Sequence, residues 1–290
     1  MTTPRRRRAG AELRALRDGT RERISGQRLP SAAATLTYFS AIGIVPWLLL
    51  GLWASTWTRG DSAARARLLE LRVLVPPDMG ARPVFDDLVG AATGLGVVGA
   101  LVTLLPASVY GEGLRRACLA LSPQPDRLTG WRARVPVMAL LLVAPVLSWS
   151  VLRVADALVP LTPEGGGGGP LDLLVRVVAG FTVLWLALGV VLTWVFRTVA
   201  PGRPRWRVVA VGGFATGSFL AGFLHGFLLF LSLPIDLGVP FGGLRTVGGV
   251  VATGLWLYLL HVVVLIGWTV TQALEAQVAG WSADRVRSPA

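Results

Sequence analysis

Apolar and charged positions are segregated along this chain into long blocks instead of being interleaved. Six stretches carry no formal charge: 30 residues between Arg28 and Arg59, 24 between Asp87 and Glu112, 18 between Arg134 and Arg153, 20 between Arg176 and Arg197, 28 between Arg207 and Asp236, and 29 between Arg245 and Glu275. A helix needs about 20 apolar residues to cross the hydrocarbon core of a bilayer, so each stretch predicts one span. The third and fourth are shortest and are expected to carry a snorkelling arginine at one end. None of the six alternates with a period of two, as a membrane barrel would, and in lipid each backbone amide must be paired within its own segment. The predicted fold is therefore all-α: a polytopic membrane protein with six transmembrane helices.

Two short amphipathic helices complete the prediction. In 11–28, Leu13, Leu16 and Ile24 are set among Arg14, Arg17, Arg21 and Arg23, a pattern suited to a helix lying on the membrane surface before span one. In the first outer loop, Asp61 to Val75 is the second candidate, in which Leu68, Leu71 and Val75 share a face and which Pro76 and Pro77 stop. The organisation that follows is a basic arm and interfacial helix at 1–30, a membrane domain at 31–275 and a tail at 276–290. Between spans three and four, the short connection from Pro160 to Pro170 contains the run Gly165 to Gly169 and predicts an antiparallel hairpin.

Composition fits this reading. The 290 residues are 53% hydrophobic and 15% charged, and the mean hydropathy is +0.62, too little polar surface for a soluble fold of that length. All 28 basic residues are arginine, and 20 of them fall before span one, between spans two and three, between four and five, and after six. That asymmetry predicts cytoplasmic N- and C-termini. The net charge of +12 is that of a nucleic-acid binder as well, but arginines facing the cytoplasm serve orientation and contact with anionic headgroups. Membrane lipids, with envelope proteins as further candidates, are the expected partners, and nucleic acid is not. The first apolar stretch begins near residue 30 and is too long for the core of a secretory signal. A single cysteine, Cys118, excludes an internal disulfide and a multi-thiolate metal site.

Glycines four apart allow close helix approach, and Gly90 with Gly94, Gly213 with Gly217 and Gly222 with Gly226 predict that spans two and five are interior. No internal repeat suggests inverted halves. The chain has two histidines, His225 and His261, on different spans without a neighbouring intramembrane carboxylate. No phosphate-binding loop, dinucleotide fingerprint or nucleophile elbow occurs. No catalytic residue, metal or cofactor is therefore expected.

Two groups of polar residues remain as candidates. Tyr38, His225, Tyr258 and His261 lie inside predicted spans, where a polar side chain either makes interhelical hydrogen bonds or lines an internal path. Arg153 and Arg176 fall at similar depth near the outer end of the third and fourth spans, with Asp156 and Asp172 three and four residues away. Such a set either forms structural ion pairs or holds an anionic lipid phosphate.

The opening of span one, Ala33-Ala34-Thr35-Leu36-Thr37-Tyr38-Phe39-Ser40 followed by Pro46, resembles the signature of the YihY/BrkB family of bacterial inner-membrane proteins, including its YhjD branch. Phe196-Arg197 through Pro201, then Arg205-Trp206-Arg207 to Gly212, is similar to the family's stretch between spans four and five. Phe241-Gly242 to Trp256-Leu257-Tyr258-Leu259 is similar to its last span, and Gly113-Leu114-Arg115-Arg116-Ala117 matches the loop after span two more loosely. The resemblance runs from residue 11 to about 276. It implies six membrane helices and a role in envelope integrity, with export of lipid or lipopolysaccharide precursor suggested for some members. The family's old label, ribonuclease BN, is regarded as a misassignment. Where the family has an acidic residue and then asparagine after the last span, this chain has Thr269 and Thr271 beside Trp268, so any role of that acid does not transfer. The sequence thus predicts a non-enzymatic inner-membrane protein of envelope integrity that binds or translocates anionic lipid, with a tRNA-processing ribonuclease or a scaffold for a partner complex as the alternatives. It carries no signature of an oligomeric state.

Overall fold

The structure, a computed structural model, describes residues 18–21, 28–70, 72, 81–122, 135, 169–231, 233 and 235–287. Of the interfacial helix expected at 11–28, only 18–21 and the last residue, Arg28, are described, and all of these are helical. The third span, apart from Val135, and the glycine run before Gly169 lie outside the described residues. Everything regular among the described residues is helical, and five helices are long and apolar enough to cross a membrane.

Helix α1, Arg28–Arg59, carries Pro46. Two short helices follow, α2 (Asp61–Glu70) and α3 (Ala81–Thr93). The remaining long helices are α4 (Val97–Leu121), with Pro106 inside it, α5 (Pro170–Trp194), α6 (Trp206–Leu231) and α7 (Arg245–Arg287). Helix α5 runs directly into a π-helical turn, Val195–Val199, and a 3-10 turn, Val239–Phe241, precedes α7. With 43 residues and a rise of about 1.5 Å each, α7 is roughly twice as long as a bilayer core requires. It continues as helix through most of the region expected to be a tail.

Helix α1 pairs with α4, and α5 pairs with α6; α7 lies against both α1 and α6 and joins the two pairs. The proline-bearing stretches of α1 and α4 meet, because Trp47 Nε1 donates to the Ala107 carbonyl at 2.9 Å. One end of the bundle gathers the start of α1, the ends of α4 and α5, the start of α6 and the later turns of α7. We call it the basic end. The main core sits toward it, built from Leu29 and Leu36 of α1, Leu114 and Leu121 of α4, Phe196 and Val199 after α5, Val209 of α6, and Leu265 and Trp268 of α7. At the other end, Leu68 of α2 and Val89 of α3 pack with Leu52 and Phe85. Large apolar side chains such as Val98, Val102, Leu171 and Leu174 are exposed, as expected where lipid is the solvent.

Two expectations need correction. Span two was placed between Asp87 and Glu112, but the chain breaks at Gly94-Leu95-Gly96 and the span is Val97–Leu121. Its last turns therefore hold Glu112, Arg115 and Arg116, which the charge-free criterion excluded. They are tolerated because Glu112 and Arg116 form an ion pair one turn apart and Arg115 finds an interhelical acceptor. The glycine pairs also divide. A Cβ on Gly217 would lie 2.9 Å from the backbone nitrogen of Gly189, and one on Gly213 would lie 2.7 Å from that of Thr193, so this pair does bring α5 and α6 into backbone contact. Around Gly90 there is nothing within 4 Å, and Gly222 and Gly226 have only ordinary neighbours at 4.0 and 3.9 Å. Glycine spacing alone does not reveal which helix face meets a partner.

The contact of α6 with α7 uses a reciprocal arrangement. Thr216 Oγ1 donates to the Gly212 carbonyl on α6 and Thr271 Oγ1 donates to the Gly267 carbonyl on α7. Each threonine then rests on the other helix's glycine: a Cβ on Gly212 would fall 2.0 Å from Thr271 Oγ1, and one on Gly267 would fall 2.0 Å from Thr216 Oγ1. Helix α6 is thereby held at backbone distance on two sides.

The packing predicts a sharp contrast between glycines of α6. Gly217→Ala should destabilise the protein by about 1–3 kcal/mol, the usual cost of overpacking, because the atoms it meets are backbone and do not rotate away. Gly226→Ala should be neutral or slightly stabilising. Thermal unfolding of the two variants in detergent checks this, and equal melting shifts would contradict the assignment of the α5–α6 contact.

Candidate functional site

At the basic end, buried polar side chains of two helices bond to the chain between α5 and α6. The connection between α5 and α6 is tied down at three points. Arg115, buried in α4, donates from Nη1 to the Val199 carbonyl at 2.9 Å. Gln272, buried in α7, donates from Nε2 to the Pro201 carbonyl at 2.9 Å. Glu275, also on α7, accepts from the Arg205 backbone N–H at 3.0 Å and from Arg205 Nε at 2.8 Å. The π turn that ends α5 leaves carbonyls without an ordinary i+4 partner, and the Ala200 N–H bonds to Val195 in its place. The turn then reverses through two residues with positive φ, Gly202 at 99° and Arg203 at 41°, the second a conformation uncommon for a residue with a Cβ. Side chains from α4 and α7 thus fix the path of a connection that turn propensity alone would leave free.

Two arginine environments open from this framework. A cavity of about 430 Å³ lies between α1 and α4, lined by Arg28, Ser31, Ala32 and Thr35 on one side and Arg116, Ala117 and Ala120 on the other. Arg116 is paired with Glu112 and sits 5.9 Å from the centre of the Phe39 ring. Arg28 makes no ion pair among the described residues. The second environment is on the π turn, where the Arg197 guanidinium lies 5.4 Å from the centre of the Trp206 ring. Its Nε is buried and has no hydrogen-bond partner among the described residues.

Of the intramembrane polar residues named from sequence, His261 is the one with a hydrogen bond to another helix among the described residues. His261 is buried, with Nδ1 3.2 Å from Thr37 Oγ1 of α1 and its ring 5.8 Å from that of Tyr110 on α4. It ties α7 to both members of the α1–α4 pair. His225 Nδ1 is 2.8 Å from the Ala221 carbonyl of its own helix, and its ring lies 5.7 Å from that of Phe181. Tyr38 is 64% exposed, on the face of α1 turned away from the core, and Tyr258 is half-buried against the main core. The four do not come together as one path. Of the other predicted set, Arg153 and Asp156 lie outside the described residues; Asp172 and Arg176 belong to α5, but their side chains lie outside the described set. Thr269 and Thr271, where the resemblance leads one to expect polar or acidic groups, are fully buried. Their hydroxyls are satisfied by the Leu265 and Gly267 carbonyls of α7 itself.

Sequence reasoning named no site role for Arg28, Arg115, Arg116 or Arg197, counting them as orienting charges and the last three also as parts of the stretches that resemble the family. The available signals were the four-residue spacing of Glu112 and Arg116, and the presence of Arg197 and Trp206 in the stretch that resembles the YihY/BrkB family. Among the described residues no three His, Cys, Asp or Glu side chains group at metal-binding range.

Helices of this length, with lipid-facing apolar side chains and a charged end, define a polytopic helical membrane protein. A sequence model described as virulence factor BrkB matches residues 20–288, and the chain belongs to that family. It is also similar to a UPF0761 membrane protein of Alkalilimnicola ehrlichii, with 27% identity over 247 residues, 84% of this chain and 54% of that protein. The chain thus spans about half the length of that curated relative. No solved structure matches.

The three ties differ in expected weight. Arg115 is buried, and a charged donor whose loss leaves a buried carbonyl unpaired is worth roughly 1.5–3 kcal/mol. The Arg205–Glu275 pair is substantially exposed at the arginine, and solvent screening brings such a pair to about 0.2–1 kcal/mol. Arg115→Met should therefore lower the melting temperature clearly more than Arg205→Ala. Unfolding curves of the two purified variants test that order, and a larger shift from Arg205→Ala would mean that the burial argument is wrong.

Proposed function

We propose that this chain is a non-enzymatic inner-membrane protein of envelope lipid homeostasis, with its basic end in the cytoplasm, and that it binds anionic lipid there. The observation that carries the reading is the cavity between α1 and α4. It is lined by Arg28 and Arg116 together with the small residues Ala32, Ala117 and Ala120. A phosphate or phosphoglycerol headgroup matches the arginines, and the small residues leave room for the first methylenes of an acyl chain. The location supports the reading too, since the inner leaflet supplies anionic headgroups to basic residues close to the membrane surface. Movement of such a lipid between leaflets is the extension that the family resemblance suggests.

The reading assigns no catalysis. Cleavage of RNA needs a base or a metal pair beside a bound phosphodiester, and both histidines are engaged elsewhere, His261 with Thr37 and His225 with Ala221.

The test is lipid retention. Arg28→Gln combined with Glu112→Gln and Arg116→Gln removes the cationic margin without leaving the Glu112 carboxylate unpaired. The triple variant should keep a melting temperature close to wild type while its co-purifying phosphatidylglycerol and cardiolipin fall at least threefold. An unchanged complement of anionic lipid would remove the cavity as a headgroup site.

A further inference from the structure

We propose that Arg197 and Trp206 form a second site, for a phosphate-bearing anion, on the connection between α5 and α6. It uses helices other than those of the α1–α4 cavity, so it stands or falls independently of the reading above.

The starting point is a difference among the arginines of the basic end. Arg115 donates to the Val199 carbonyl and Arg205 to Glu275. Arg197, between them in sequence, donates to nothing among the described residues. Its Nε is screened from solvent and carries an unmatched N–H. Its one described contact is with the Trp206 ring at 5.4 Å, which attracts the cation through the ring face but offers no hydrogen-bond acceptor, because an indole only donates. A guanidinium has five N–H donors in a fixed fork, and the acceptor that satisfies such a fork is a carboxylate or a phosphate. No carboxylate of the described residues pairs with it, and the acceptor assigned to the fork by this proposal is an anion from outside the chain.

The framework around Arg197 is rigid, as a binding group requires. The π turn that carries Arg197 ends on the Arg115 hydrogen bond to Val199. The chain after it is held by Gln272 at Pro201 and by Glu275 at the Arg205 backbone N–H. Trp206 begins α6 immediately after that anchor. Both members of the pair are therefore positioned by buried or ion-paired contacts of neighbouring residues, so little ordering is needed when an anion binds. Arg203 on the same connection and Arg207 in the first turn of α6 are exposed and raise the local positive potential. Trp206 is 54% exposed, and an indole at the end of a span is at home among lipid headgroups. Phosphate chemistry is what the site recognises; a lipid headgroup and free phosphate are its two sources.

Full-length protein in mild detergent is titrated with phosphatidylglycerol and with phosphatidylcholine of the same acyl chains, read by native mass spectrometry. A separate arm adds sodium phosphate and reads the melting temperature. With the α1–α4 cavity removed by the triple substitution above, Arg197→Gln should weaken phosphatidylglycerol binding at least fivefold and leave phosphatidylcholine unchanged, while Arg207→Gln should change either by less than twofold. Arg197→Lys, which keeps the charge but loses the fork, should fall between, and it carries the test if Arg197→Gln does not fold. A wild-type thermal shift with sodium phosphate that Arg197→Gln abolishes, without a change in lipid affinity, assigns the same site to free phosphate. The proposal is overturned if both Arg197 variants bind both anions as wild type does, or if Arg207→Gln weakens binding as much as Arg197→Gln.

Discussion

The structure depends on how closely helix α6 approaches its neighbours. In a bilayer no hydrophobic force drives one apolar helix onto another, so association rests on packing and on satisfied polar groups. Helix α6 meets α5 where Gly217 lies against the Gly189 backbone, and it meets α7 where Gly212 and Gly267 each receive the other helix's threonine. Both threonine hydroxyls are already bonded to their own helices, so they pack as apolar surfaces and leave no unpaired donor in the core. With α6 fixed on two sides, α5 and α7 are fixed relative to each other, and α7 passes that placement to the α1–α4 pair.

This rigidity is used at one end. Arg115, Gln272 and Glu275 come from two helices distant in sequence and converge on eleven consecutive residues, 195–205. What they hold is a π turn and a reversal with a positive φ at Arg203, conformations that neighbouring structure must sustain. Arg115 and Arg205 act as ties, whereas Arg28 and Arg197 have no ion pair among the described residues. This contrast between tied and available cations is the feature on which the proposed handling of anionic lipid rests.

The fold was legible where it rests on long-range composition. Charge-free stretches located α1, α5, α6 and α7, because lipid demands unbroken apolar length and the alternatives carry a different period. Span two was misjudged at its limits because the rule treated every charge as a boundary, whereas Glu112 and Arg116 neutralise each other inside the helix and Arg115 is bonded across the interface. Sequence spacing did not decide which glycines matter, since Gly213 and Gly217 meet α5 while Gly90 meets nothing. The arrangement at the basic end was the least legible part. Contacts such as Gln272 with Pro201 join residues about 70 apart, and no local pattern encodes them.

The central claim of the proposed function is that the basic end faces the cytoplasm, the side from which both proposed anion sites would take their ligand. Single cysteines placed at exposed positions in a Cys118→Ala background test it most directly: Arg207→Cys at the basic end and Val239→Cys in the connection at the opposite end. A membrane-impermeant maleimide added to intact cells from which the outer membrane has been stripped should label Val239→Cys and leave Arg207→Cys unlabelled until the inner membrane is opened. The reverse pattern, with Arg207→Cys labelled in sealed cells, would contradict the account.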